Sequence, residues 1–306
     1  MFFTPTAYYT NLTITPNLPV STILGATSIN PRGITIDSAG NIYTSNFSSN
    51  NVSKITPSGV STIFASTGTG PWGITIDPTG NLYTANFNGS NVSKITPGGV
   101  STIFASTGGP TLPSLPIDII SDSSGNIYFT NSYNSNVTKV TPAGVKTTFG
   151  GTGTTPYGLV IDPSGNIYTA NSNADTVTKI TPTGVSTIFG TTGGFPVGIT
   201  IDPAGNIYTA NVNGNNVSKI TPGGVSTIFA STGAGTAPRS IIIDPAGNLY
   251  TANTNTSNVS KITPGGVSTI FASTGAGTAP YDITIDPAGN LYTCNQGSNN
   301  VTKITV

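Results

Sequence analysis

Short runs of alternating apolar and polar residues recur along this chain, separated by clusters of Gly, Pro, Asn, Asp and Thr. Such alternation over a few residues marks a half-buried β-strand. In the copy at residues 73–104 the runs are Ile74 to Ile76, Leu82 to Asn86, Val92 to Thr96 and Val100 to Phe104. Asp77-Pro78-Thr79-Gly80-Asn81 joins the first two, and Pro97-Gly98-Gly99 joins the last two. In these turns proline presets φ, glycine supplies a positive-φ position, and the Asp carboxylate accepts bonds from turn amides. Four short antiparallel strands, a to d, predict one blade of a β-propeller.

The unit occurs seven times. Its anchoring aspartate stands at Asp37, Asp77, Asp122, Asp162, Asp202, Asp244 and Asp286, in steps of 40, 45, 40, 40, 42 and 42. An asparagine follows nine residues later and a lysine seventeen later, as at Asn86 and Lys94. The expected fold is therefore all-β: a seven-bladed propeller of four-stranded antiparallel blades. The last repeat stops after strand c, whereas Val20 to Leu24 aligns with the strand d at Val60 to Phe64. An N-terminal strand at about residues 20–24 is thus expected to complete the last blade and remove an open end. Residues 20–306 read as a single propeller domain and 1–19 as an N-terminal extension. Within that extension, Leu12 to Pro16 resembles a degenerate strand c lying outside the blade or at its edge. The third repeat carries extra residues from Gly109 to Pro116, a longer surface loop.

Composition removes several classes of function. Charged residues are 7% of the chain, net charge is zero, and His and Glu are both absent. No long-range field would draw nucleic acid or an anionic membrane. No apolar run of spanning length and no signal peptide is seen. Cys294, the one cysteine, takes the place of a small packed residue such as Ala85. A Ser-His-Asp triad is excluded, and zinc or transition-metal sites lack their usual ligands.

The run from Pro71 to Ile95, repeated at Pro156 to Ile180 and Pro196 to Ile220, resembles the NHL repeat. It is similar to the pattern of the streptogramin B lyases and, more distantly, of the gluconolactonase-like propellers. That resemblance implies the fold across roughly residues 20–306. It also implies catalysis by histidine, glutamate and a divalent metal, and no such residue exists here to carry it over. No catalytic or metal-binding residue is therefore assigned.

Comparing repeats with each other locates a candidate site. Antiparallel order puts the a–b and c–d turns on one face, and the b–c loops and the connections into strand a on the other. The first face is nearly uniform. On the second, five residues before each aspartate, the series reads Arg32, Trp72, Ile117, Tyr157, Val197, Arg239, Tyr281. The next position is Gly in four repeats and Asp118, Ser240 and Asp282 in the others. Ten after the aspartate stand Phe47, Phe87, Ser132, Ser172, Val212, Thr254 and Gln296. Arg32, Trp72, Asp118, Tyr157, Asp175, Arg239, Tyr281 and Asp282 are the expected ligand-binding residues, at the channel mouth. Aromatic faces with directed polar groups suit a neutral polar ligand, such as a glycan, or a peptide segment.

The function read from these residues is a non-enzymatic binding or structural module, with a protein or glycan partner. The Ser/Thr/Asn/Gly surface suggests an extracellular, cell-surface or virion setting. The alternative is a divergent metal-dependent lyase or lactonase using Asp118, Asp175 and Asp282. No cofactor is expected; a calcium or magnesium ion is the alternative. The repeat aspartate is expected to close its turn, and the repeat lysine to reach a turn carbonyl or a neighbouring aspartate.

Overall fold

The computed structural model describes residues 18–108 and 113–305, which hold 28 strands in seven four-stranded sheets. The sheets are the blades, each ordered a-b-c-d from the central bore outward. Blades 1 to 6 cover residues 31–66, 71–106, 116–151, 156–191, 196–231 and 238–273. Blade 7 takes strands a to c from residues 280–305 and strand d from Val20–Ala26. The closing strand pairs antiparallel with Asn300–Thr305, with Val20 opposite Thr305 and Thr22 opposite Lys303. The expected closure is thus present and runs two residues further than the alignment, to Ala26. The proposed strand at Leu12 to Pro16 lies outside the described residues, as does part of the third-repeat loop, 109–112.

There is no central core. Each blade packs one face on the next, so apolar side chains form seven separate layers. Tyr43, Val52 and Ala65 of blade 1 meet Ile74, Leu82 and Ile95 of blade 2. Cys294, Tyr292 and Val301 of blade 7 meet Ile34, Ile42 and Ile55 of blade 1, which makes the ring seam an ordinary blade interface. Strand b is buried along its whole length in every blade.

Burying strand b forces its polar groups to find partners. Asn86 Nδ2 donates to Asn91 Oδ1 (2.7 Å) and Ser93 Oγ (2.8 Å), while its Oδ1 accepts from Thr84 Oγ1 (2.9 Å). Blade 3 has Phe129 in place of that threonine, and Asn131 Oδ1 is left buried without a partner. The turn aspartates work as expected. Asp77 Oδ1 accepts from the amides of Thr79 and Asn81 (both 2.9 Å), and Oδ2 from Asn81 Nδ2 (2.9 Å) and Tyr83 OH (3.2 Å). Gly80 closes this turn at φ 84°, where a side chain would be strained.

The lysine expectation is corrected. Lys54 reaches neither a turn carbonyl nor an aspartate; its ammonium lies 5.6 Å from the ring centroids of both Tyr43 and Phe64. The same arrangement recurs from blade to blade. At Lys303 only Tyr292 is present, because Leu24 occupies the phenylalanine position in the closing strand. The Lys54 ammonium lies beside two electron-rich ring faces, and the aspartates accept from their own turn and from the tyrosine hydroxyl.

Candidate functional site: the narrow mouth of the bore

The seven strands a converge so tightly that most blades need glycine where they meet. A Cβ on Gly73 would come 2.7 Å from Ile117 O and 2.9 Å from Asp118 Cα. The bore widens toward the uniform face into a cavity of about 1790 Å³, walled by the a–b turns and by Ile36, Ile161, Ile201, Ile243 and Ile285. Toward the variable face it narrows to about 210 Å³, lined by Arg32, Trp72, Tyr157, Arg239 and Tyr281. The larger space is lined mainly by positions that repeat from blade to blade, and the individual residues gather at the smaller one.

At the narrow mouth the rings and guanidiniums form one connected cluster. The Arg32 guanidinium carbon lies 3.6 Å from the Phe47 ring centroid, 4.0 Å from Trp72 and 5.5 Å from Tyr281. Trp72 also packs edge-on to Tyr157 (5.9 Å) and Tyr281 (6.0 Å), and tilted against Phe87 (5.1 Å). Arg239 lies 4.4 Å over the Tyr281 ring and donates to its hydroxyl at 2.7 Å. Tyr281 is buried beneath the two arginines, and burial raises its pKa to about 12. Burial lowers the pKa of Arg32; Tyr281 opposes the shift and the charge of Arg239 adds to it.

Five of the eight expected residues therefore meet, although they come from five different blades. Phe47 and Phe87 belong with them and were missed as site residues; the series ten after each aspartate carried that signal. Phe195 also joins, 5.9 Å from Tyr157.

The three aspartates do other work. Asp118 Oδ1 accepts from its neighbour Ile119 N (2.9 Å) and Oδ2 from Leu159 N of blade 4 (3.1 Å). Asp282 Oδ2 accepts from Ile34 N of blade 1 (3.0 Å), and its Oδ1 from Ser240 Oγ (2.6 Å) and Ile283 N (2.9 Å). Each carboxylate thus ties its blade to the next. Both are enclosed by protein although they touch the bore, and this burial pushes up both pKa values, that of Asp118 to about 7 with a further contribution from the charge of Asp282. Asp175 lies apart, in an exposed b–c loop at φ 51°, where Oδ1 accepts from Phe195 N at 2.7 Å. Asn50, Asn215 and Asn299 make the same loop tie at their positions.

The divalent metal that the resemblance implies does not fit these residues. Among the described residues no three metal-ligating side chains cluster. The buried carboxylates already accept backbone amides, and the chain holds no His or Glu to complete a ligand set.

The sequence matches the Virginiamycin B lyase family over residues 65–306 and a beta-propeller repeat over residues 21–45. No curated protein sequence matches. Among solved structures, virginiamycin B lyase from Staphylococcus aureus superposes with a TM-score of 0.83 at 18% identity, covering 94% of this chain and 99% of that one. A streptogramin B lyase structure gives 0.83 at 19% identity, covering 94% and 97%. A gluconolactonase from Xanthomonas campestris gives 0.59 at 14% identity, covering 93% and 88%. A histidine-to-alanine variant of the Staphylococcus enzyme, solved with quinupristin, is described as catalytically inactive. With its seven blades, its closing strand and the family match over most of its length, this chain belongs to the Virginiamycin B lyase family.

Proposed function

We propose that this chain is a binding member of its family that lacks the lyase chemistry and holds a glycan or peptide ligand at the narrow mouth. The observation that carries this reading is the convergence of Arg32, Trp72, Tyr157, Arg239 and Tyr281, drawn from five blades, into one cluster. This register is diversified while the opposite face stays uniform, and the diversified side chains are the ones that meet. The relative that loses activity with one histidine also supports the reading, since this chain has no histidine at all. The competing lyase or lactonase reading needs Asp118, Asp175 and Asp282 as shared ligands. Two of these are bonded to backbone amides across blade seams, and the third lies in a separate loop.

Trp72 is the chain's one tryptophan, so its fluorescence reports the mouth alone. A panel of oligosaccharides and peptides is screened by that signal together with the thermal midpoint, which a ligand of the folded state must raise by mass action. The expected result is at least one ligand that moves both, with the midpoint shift abolished in Trp72→Ala. Turnover of a streptogramin B or a sugar lactone, lost in Asp118→Asn, would sink the proposal.

A further inference from the structure

Among the described residues the two arginines at the mouth have no counter-ion, and this specifies the ligand further. Every aspartate of the chain is engaged elsewhere. Seven close their a–b turns, Asp118 and Asp282 accept backbone amides across seams, and Asp175 caps the Phe195 amide. Both guanidiniums lie against the same ring, Tyr281, at 5.5 and 4.4 Å from its centroid, so two like charges share one small space. Their faces are stacked on aromatic rings, which leaves the N–H edges to bond. Among the described residues, Arg32 makes one long side-chain bond, to Asn30 Oδ1 at 3.4 Å, and Arg239 makes one, to Tyr281 OH. A guanidinium has five N–H donors, so most of these are unused by protein. Asp118 and Asp282 line the same cavity, but among the described residues neither forms an ion pair with a guanidinium, and their oxygens accept seam amides.

Holding two cations together under partial burial is unfavourable unless a ligand compensates, and a planar fork with free edges matches an oxyanion. Trp72 and Tyr157, both half-buried, add aromatic rings beside the pair, one face of Trp72 being covered by Arg32. The loops that rim the mouth are rich in Asn, Ser and Gly, whose uncharged donors and acceptors suit hydroxyls. We infer that the mouth recognises an acidic sugar, its carboxylate held between Arg32 and Arg239 and its ring laid on Trp72 and Tyr157. This rests on the mouth being a ligand site, and it replaces the neutral ligand expected from the sequence with an anionic one.

The test compares trigalacturonic acid with its methyl ester, which keeps the sugar rings and removes the charge, by titration of Trp72 fluorescence in the full chain. The acid is expected to bind about tenfold or more tightly than the ester, as charge-assisted bonds imply. Arg239→Met should erase that preference, and Arg239→Lys, which keeps the charge and loses the fork, should restore part of it. Far-UV circular dichroism and the thermal midpoint establish that each variant is folded. Raised salt should weaken the acid and leave the ester unchanged. Equal binding of acid and ester overturns the inference and leaves the mouth as a neutral-ligand site. A preference for the acid that survives Arg239→Met in a folded protein overturns it as well. Absence of response to both sugars overturns it, and the wider screen then decides whether the mouth binds anything. A response only to a peptide with a free C-terminal carboxylate overturns the sugar assignment in favour of a peptide.

Discussion

The two ends of the bore are made from opposite ends of the same seven strands, yet they differ in kind. At the wide end each blade repeats one solution: an aspartate whose oxygens accept the turn amides, an asparagine and a tyrosine, with glycine at positive φ. At the narrow end the equivalent positions hold arginine, tryptophan, tyrosine, isoleucine and valine. The difference lies in what the backbone demands. A turn that needs an acceptor and a left-handed residue admits few alternatives, so seven copies stay alike. A side chain projecting over the mouth bonds to no fixed backbone group, so it can change without breaking its blade. The exceptions fit the same rule. Asp118, Ser240 and Asp282 stand where other blades need glycine, and their side chains point along the seam toward the next blade.

The contrast is broken most strongly at the wide end. Asp77→Ala removes the acceptor for two amides, an asparagine and a tyrosine, and should cost about 2–4 kcal/mol in urea unfolding.

The second effect is a pH dependence of opposite sign at the two ends. At Asp77 burial works against ionisation, but hydrogen bonds from Asn81 and Thr79 outweigh it and lower the pKa. Its stabilisation is present above the unfolded value near 4 and is lost as pH falls through the lower folded value. Asp118 is raised to about 7, so the native state binds more protons than the unfolded state between roughly pH 4 and 7. Its contribution therefore falls as pH rises through that window and levels off above it. The thermal midpoint should decline from pH 5 to pH 6 (about one unit inside each limit of that window), and Asp118→Asn should flatten the slope, with a residue left by Asp282.

A smaller effect separates two blades. Asn86→Ala removes a fully bonded amide, whereas Asn131→Ala removes one whose oxygen is already orphaned beside Phe129. The second should cost about 1 kcal/mol less in the same urea assay. Smallest is Arg239→Met at the narrow mouth. It loses the ring contact and the bond to the Tyr281 hydroxyl but relieves the repulsion with Arg32, and stability should change by less than about 1 kcal/mol. A large loss there would make the mouth cluster a structural plug.

Much of this architecture was legible before any coordinates. Seven aspartates at near-constant spacing dictate seven blades, because each repeat is one supersecondary unit that can bury its faces only against its neighbours. The orphaned strand d at Val20 to Leu24 and the missing one after Thr305 dictate the closure for the same reason. The turn chemistry of Asp-Pro-x-Gly-Asn is local and needs no tertiary partner to be read. The register of the mouth was legible too, as a column of dissimilar residues among uniform ones. Tertiary structure alone decided what that column does. Trp72 and Tyr281 are more than 200 residues apart and touch only because the ring closes. The sequence marked Arg32, Asp118, Arg239 and Asp282 as charged residues of two adjacent registers and as candidate ligand contacts, without their partners. Only the closed ring made the carboxylates acceptors for backbone amides across the seams and left the guanidiniums against aromatic rings without a carboxylate partner among the described residues, since a side chain's partners depend on which backbone groups the neighbouring blade brings within reach.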